Sequence, residues 1–323
     1  MDFYQYHDEL NISPFIKKYE GKSLGDLFPN HSIMKNEMGE FMKILWKDIK
    51  LPCDIDLSRS KQDLMENLKV IYYIGYNIEA QLKKRGIKSL LDLQYMLKYS
   101  KPAHWYLSLI EEKNYKLLYS NRYVQDIDVS FCFDLNDLLF IDIETLDLYN
   151  SPIIIIGLGY FVNEFFEIEE LFIRNLEEEI SMLQYLEKNI LPKFKCFVSY
   201  NGKSFDIPYI INRFLYFFER NPLMNDEVNI LNYLDLKYHH IDLYFNCRRK
   251  YKNQFSSYSL TNIEEKLLNF KRKNDLPSNL VGTCYRMYLE NPSKYSGLIK
   301  ACIEHNYWDI YSLPLIFSKL LKE

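Results

Sequence analysis

The run LLFIDIETLDL, residues 138–148, ends an apolar segment in two carboxylates. Leu138 to Ile141 are hydrophobic, and Asp142, Ile143 and Glu144 follow. A strand turns successive side chains to opposite faces, so residues two apart share one. The pattern predicts a buried strand whose end sets Asp142 and Glu144 side by side. Carboxylates that close repel unless a proton or a cation lies between them. Whatever fold this chain adopts must neutralise that strand end.

The surrounding pattern is that of an α/β layer fold. Strand-like runs occupy 138–143, 152–161, 165–173 and 195–200, and helical stretches fit 175–190, 206–218, 260–270 and 298–321. The preceding residues differ in texture. Residues 61–125 place Leu64, Leu68, Ile71, Ile78 and Leu82 at helical spacing. A short turn around Gly75 precedes a helix ending at Gly86, a left-handed cap candidate, and Ser89 with Asp92 opens another. Residues 1–60 are broken by Gly25, Pro29, Gly39 and Pro52, with GEFMKILW as a candidate strand. These changes divide the chain near 125–135, into a smaller, mainly helical N-terminal region (1–130) and an α/β domain (131–323).

Composition excludes several classes. The 323 residues carry a net charge of −4, so the molecule is no polycation and a nucleic-acid ligand needs a local basic face. None of the six cysteines forms a C-x-x-C pair, which argues against a zinc knuckle. The start MDFYQYHDEL is acidic and polar, unlike a signal peptide, and no apolar run approaches the roughly 18 residues that span a membrane. The expectation is a soluble, reduced, cytoplasmic protein. Aromatics make up 16% of the residues, so no single aromatic is read as a stacking platform.

Two later stretches add acids. In FVSYNGKSFDIPYIINRF, residues 197–214, a strand and an NGKS turn lead to Asp206 at the start of an amphipathic helix. Alone, such an aspartate merely complements the helix dipole. In IEHNYWDIYSL, residues 303–313, His305 and Asp309 are four apart and share a helix face, as surface pairs commonly do. Taken in order, FIDIET, SYNGKSFDIPYI, the linking HHIDLYFNCRRKY…YSLTNIEEKLLNFKR and EHNYWDIYSL resemble the DEDD superfamily of 3′→5′ exonucleases, and within it the YprB-type ribonuclease-H-like family, over about 135–321. The resemblance implies a ribonuclease-H-like mixed sheet flanked by helices. It implies Asp142, Glu144, Asp206 and Asp309 as metal ligands, with Asp142 bridging two ions. Hard divalent cations, Mg²⁺ or Mn²⁺, suit an all-carboxylate site, and two of them serve phosphodiester hydrolysis. The segment 64–97 resembles a helix-hairpin-helix, with Tyr73 in place of its first glycine and Gly75 near the amides that would meet a phosphate; a plain αα-hairpin is the alternative.

His305 departs from the resemblance, standing four before Asp309 where these enzymes usually carry tyrosine. It is read as a base toward the attacking water or as a group that orients it. Thr145, Asn201 and Lys203 are candidate substrate contacts. Residues 245–275 hold eight basic side chains (Arg248, Arg249, Lys250, Lys252, Lys266, Lys271, Arg272, Lys273) against three acidic ones (Glu264, Glu265, Asp275), a net of +5 that suits a phosphate-tracking face. TNIE, 261–264, reads as a capping box. The expected activity is metal-dependent 3′→5′ exonucleolysis on DNA or RNA with a free 3′ end. The rivals are a structure-specific or endonucleolytic enzyme, and a non-catalytic nucleic-acid-binding protein, against which the presence of all four acids argues.

Overall fold

The apolar run at 138 becomes β3 (Leu138–Thr145), at the centre of a mixed sheet in a computed structural model that describes residues 12–224, 237–273 and 275–322. The acidic stretch MDFYQYHDEL lies outside the described residues. The other strands are β1 (His31–Asn36), β2 (Gly39–Ile49), β4 (Ile153–Val162), β5 (Phe165–Phe172), β6 (Cys196–Ser199) and β7 (His239–Asp242). Their order is β1-β2-β5-β4-β3-β6-β7. The pairs β3–β6 and β6–β7 are parallel and the rest antiparallel. β4 is covered on both faces, hence its nearly unbroken IIIIGLGYF.

The segment expected to be mainly helical contributes β1 and β2, and β2 pairs with β5. The first 130 residues therefore share a sheet with the α/β domain. Residues 58–119 are mainly helical, with α1 (Ser58–Glu66), α2 (Tyr76–Lys84) and α3 (Ser100–Glu111) around a cluster that includes Leu64, Leu68, Ile71 and Leu82. Gly86 follows α2 at φ +87°, and Ser89 and Asp92 cap the turn Leu90–Leu93 reciprocally. Tyr73 takes φ +71°, a conformation that favours glycine.

The C-terminal helices place the site. They are α4 (Asp206–Phe218), α5 (Leu243–Lys250), α6 (Leu260–Leu267), α7 (Val281–Glu290) and α8 (Pro292–Lys322). Pro292 opens α8, since the first turn needs no amide donor there. α6 starts at Leu260 with Ser259 as its cap, so Thr261 and Glu264 do not form the expected capping box. α8 lies close on the sheet because β4 carries Gly157 and Gly159. A Cβ at Gly157 would stand 2.1 Å from Asn306 Oδ1, and one at Gly159 would stand 2.7 Å from Ile310. Both glycines pair with β3, opposite Asp142 and Phe140. Glycine here sets the height at which α8 carries its polar side chains over the strand end.

Candidate active site

β3 outruns its parallel neighbour. Its pairing with β6 ends at Phe140–Val198, and β6 stops at Ser199. The Ile143 N–H therefore has no strand partner, and it donates to Asp206 Oδ1 at 2.9 Å. Asp206 thus anchors the first turn of α4 to the strand that bears the other two acids. Asp142, Glu144, Asp206 and Asp309 all line one open cleft of about 580 Å³. Three stretches distant in sequence meet there.

α8 supplies the opposite wall. Asn306 Nδ2 donates to Asp142 Oδ2 at 2.8 Å. His305 is buried, with Nδ1 2.8 Å from Asp275 Oδ1 and Nε2 2.9 Å from Ser278 Oγ. The same Nε2 lies 3.3 Å from Asp309 Oδ2 and 3.7 Å from Glu144 Oε1. The imidazole sits behind the acids and is not among the groups lining the cleft. Glu144, His305 and Asp309 offer ligand atoms within 4.8 Å of one another, a set able to hold a cation.

Electrostatics explains why the cluster tolerates itself without one. Burial, then Asp309, Asp206 and Glu144, push the Asp142 carboxyl well above the ordinary range. Burial raises Glu144 to about 8, against the pull of His305. Burial likewise raises Asp206 to about 7, opposed by the Ile143 N–H. Burial disfavours charge on His305, but Asp309, the Asp275 hydrogen bond and Glu144 outweigh it and lift the imidazole to about 9. Arg272 supplies a fixed cation: Nη2 donates to Asp309 Oδ1 at 2.6 Å, Nε donates to Glu264 at 2.8 Å, and the side chain is 3% exposed. Arg272 was expected on a phosphate-tracking surface; it lies inside because three acids surround it.

The weaker candidates separate. Thr145 and Asn201 line the cleft. Thr145 Oγ1 donates to the Asp147 carbonyl, and Asn201 turns there at φ +66° with its N–H on Asp242. Lys203 is drawn away, its ammonium bound to the buried Asp126. Arg248 borders a depression that shares Tyr200 and Asn201 with the cleft. Arg249 and Lys250 face another depression, beside Asp63 and Asp128, where Lys250 Nζ donates to the Leu320 carbonyl. Gly75 caps α2 in the helical segment and does not line the cleft. Sequence reasoning missed Asp275, Ser278, Asn306 and the cleft-lining Arg286; of these only Asn306, beside His305, stands next to a residue already singled out.

A family model of the RNase_H superfamily matches residues 139–321, more than half of the chain. The chain belongs to the RNase_H superfamily. The matched span takes in all four cleft acids. The uncharacterized protein YprB of Bacillus subtilis (strain 168) is 23% identical over 194 residues, covering 59% of this chain and 43% of YprB. The chain thus spans less than half the length of that curated relative. Among the described residues no helix is long and apolar enough to cross a membrane.

Proposed function

We propose that this RNase_H superfamily protein is a divalent-metal-dependent 3′→5′ exonuclease that hydrolyses phosphodiester bonds. The observation that carries the reading is the convergence of Asp142, Glu144, Asp206 and Asp309, in motifs that resemble the DEDD enzymes, on one cleft. The donor set fits hard cations. Around the cleft the carboxylates outnumber the fixed cation Arg272, and hard divalent ions would offset that excess. When bound, Mg²⁺ or Mn²⁺ would supply Lewis acidity toward the phosphate and the attacking water. Arg272 leaves Asp309 one carboxylate oxygen for such a ligand role, and Asn306 orients Asp142. We read residues 64–97 as a helix-hairpin-helix-like module beside this domain.

The test is digestion of matched DNA and RNA oligonucleotides, labelled at either end, in Mg²⁺, Mn²⁺ and EDTA. Stepwise loss from the 3′ end that stops in EDTA supports the reading. Internal cuts or metal-independent digestion would replace it.

His305 has a separable role. Its burial behind Glu144 and Asp309 favours holding those carboxylates over taking a proton directly. His305→Ala is then expected to cut the rate by roughly 10–100-fold together with Mn²⁺ affinity, the usual cost of losing an outer-shell partner. A general base would instead cost roughly 10²–10⁴-fold with affinity intact. Titration calorimetry beside steady-state rates tells them apart.

Of the basic residues Arg248, Arg249 and Lys250, Arg248 borders the depression next to the cleft and is the candidate to meet a strand leaving it. Arg248→Glu is expected to weaken oligonucleotide binding and reduce its salt slope by about one, the signature of a lost phosphate contact. Arg249→Glu with Lys250→Glu should leave the slope unchanged. Fluorescence anisotropy across a salt series measures both, and the reverse result would put the strand on the other face.

A further inference from the structure

Glu170 lies in the middle of β5 with 0% of its surface exposed, and neither carboxyl oxygen has a hydrogen-bond partner. An ionised carboxylate buried that way is prohibitively costly, so the group is held neutral. Burial, reinforced by Glu304 and Asp309, keeps its pKa well above the ordinary range; Lys300 opposes this, but its ammonium is bound to Glu304. A neutral carboxylic acid is a hydrogen-bond donor in search of an acceptor.

The sheet register brings one candidate acceptor into its row. Glu170 stands opposite Gly157 on β4, and Gly157 stands opposite Asp142 on β3. Directly opposed residues share a face, so the three positions form one row beneath α8. Gly157 leaves a gap in that row, and Asn306 fills it, with Oδ1 2.1 Å from where a Cβ would stand. Asn306 is fully buried; its Nδ2 donates to Asp142, while its Oδ1 has no partner. An orphan acid and an orphan acceptor thus occupy neighbouring places in one buried row. Opposed Cβ atoms lie roughly 4.5–5.5 Å apart, which leaves the glutamate carboxyl within direct reach of Oδ1 or one water away.

We propose that Glu170, as a neutral acid, donates a hydrogen bond to Asn306 Oδ1, directly or through one enclosed water, and thereby locks the amide that holds Asp142. Glu170 is a positioning residue, since it does not line the cleft. The amide has two ends, and only one orientation serves the site. Flipped, it would turn Oδ1 toward the Asp142 carboxylate in the ionised form that a metal ligand needs, acceptor against acceptor. A donor on the far side selects the orientation with Nδ2 on Asp142. The inference rests on reading Asp142 as a metal ligand.

The test compares the full chain with Glu170→Gln, which keeps a neutral donor, and Glu170→Met, which keeps size without one; Glu170→Ala stands in if the methionine variant misfolds. Melting temperature in EDTA, Mn²⁺ affinity by calorimetry and the Asn306 side-chain amide resonance, assigned by its loss in Asn306→Ser, are recorded for each. Glu170→Met is expected to melt no lower than wild type, yet bind Mn²⁺ about tenfold more weakly and shift the Asn306 amide even without metal. Glu170→Gln is expected to restore both affinity and resonance. A methionine variant with wild-type affinity and an unmoved amide overturns the proposal and leaves Glu170 as a tolerated buried acid. If wild type itself binds no Mn²⁺, the metal reading of the cleft fails, and the metal-free amide resonance alone decides the role of Glu170.

Discussion

Asp142→Asn is expected to yield a protein that no longer cleaves nucleic acid yet melts at a higher temperature in EDTA. The substitution keeps the shape, and the new amide oxygen still accepts from Asn306 Nδ2, so no buried donor is orphaned. What disappears is a carboxylate surrounded by three others. A bound metal contributes several kcal/mol to the transition state, and each ~1.4 kcal/mol is a factor of ten, so the expected loss is about a thousandfold or more. The stability gain follows from linkage. Glu144 and Asp206 titrate near 8 and 7 in the metal-free fold, above the ordinary carboxylate range. Between about pH 4.5 and 7 the folded chain retains protons that the unfolded chain has released, so these groups lower stability as pH rises. In EDTA the wild-type melting temperature should therefore fall from pH 5.5 to pH 8 more steeply than that of Asp142→Asn. Mn²⁺ should recover more of it at pH 8, where it displaces fewer protons. Cleavage at the wild-type rate in Mg²⁺, or equal pH slopes for the two proteins, would remove Asp142 from the site.

The parts of this site that could be read from the sequence are those written in short periods. Asp142 and Glu144 announce themselves because a strand repeats every two residues, and His305 with Asp309 because a helix brings residues four apart together. The strands β3 to β6 and the helices α4, α6 and α8 were legible as short apolar runs or periodic stretches, whereas α5 and α7 were not. What escaped is long-range. Arg272 sits in KRKNDLPSNL among lysines, and nothing local separates a buried guanidinium from exposed ammonium groups. Asp275 is thirty residues from the imidazole it binds. β7 holds only four residues, HHID, too few for a pattern to emerge. β2 was visible as a strand, but its pairing with β5, 120 residues later, depends on tertiary register. Lys203 misled for a related reason. Its place in the turn before Asp206 suggested substrate, whereas the buried Asp126, far off in sequence, claims its charge.

Arg272→Met is expected to be the most destabilising single substitution near the cleft. The guanidinium is 3% exposed and joins Glu264 on α6, Asp309 on α8 and Asp275 in the loop between α6 and α7. Glu264 and Asp309 are themselves buried. Removing one partner of a buried ion pair costs about 3–5 kcal/mol, mainly because the charge left behind is uncompensated. At roughly 1.5 °C per kcal/mol for a chain of 323 residues, the melting temperature should drop by about 5–7 °C. The loss should be non-additive. Glu264→Gln placed with Arg272→Met removes one of the stranded carboxylates, so the pair is expected to be more stable than Arg272→Met alone, the coupling that a double-mutant cycle measures. In both variants Asp309 loses the guanidinium and keeps His305 Nε2 at 3.3 Å, and Mn²⁺ should therefore raise the melting temperature of Arg272→Met more than that of wild type. Urea midpoints for the four proteins, with and without Mn²⁺, give each quantity. A drop below about 1 kcal/mol in Arg272→Met, the range of exposed ion pairs, would mean that water already screens this arginine and that the loop carrying Asp275 is held to α8 by its apolar contacts instead.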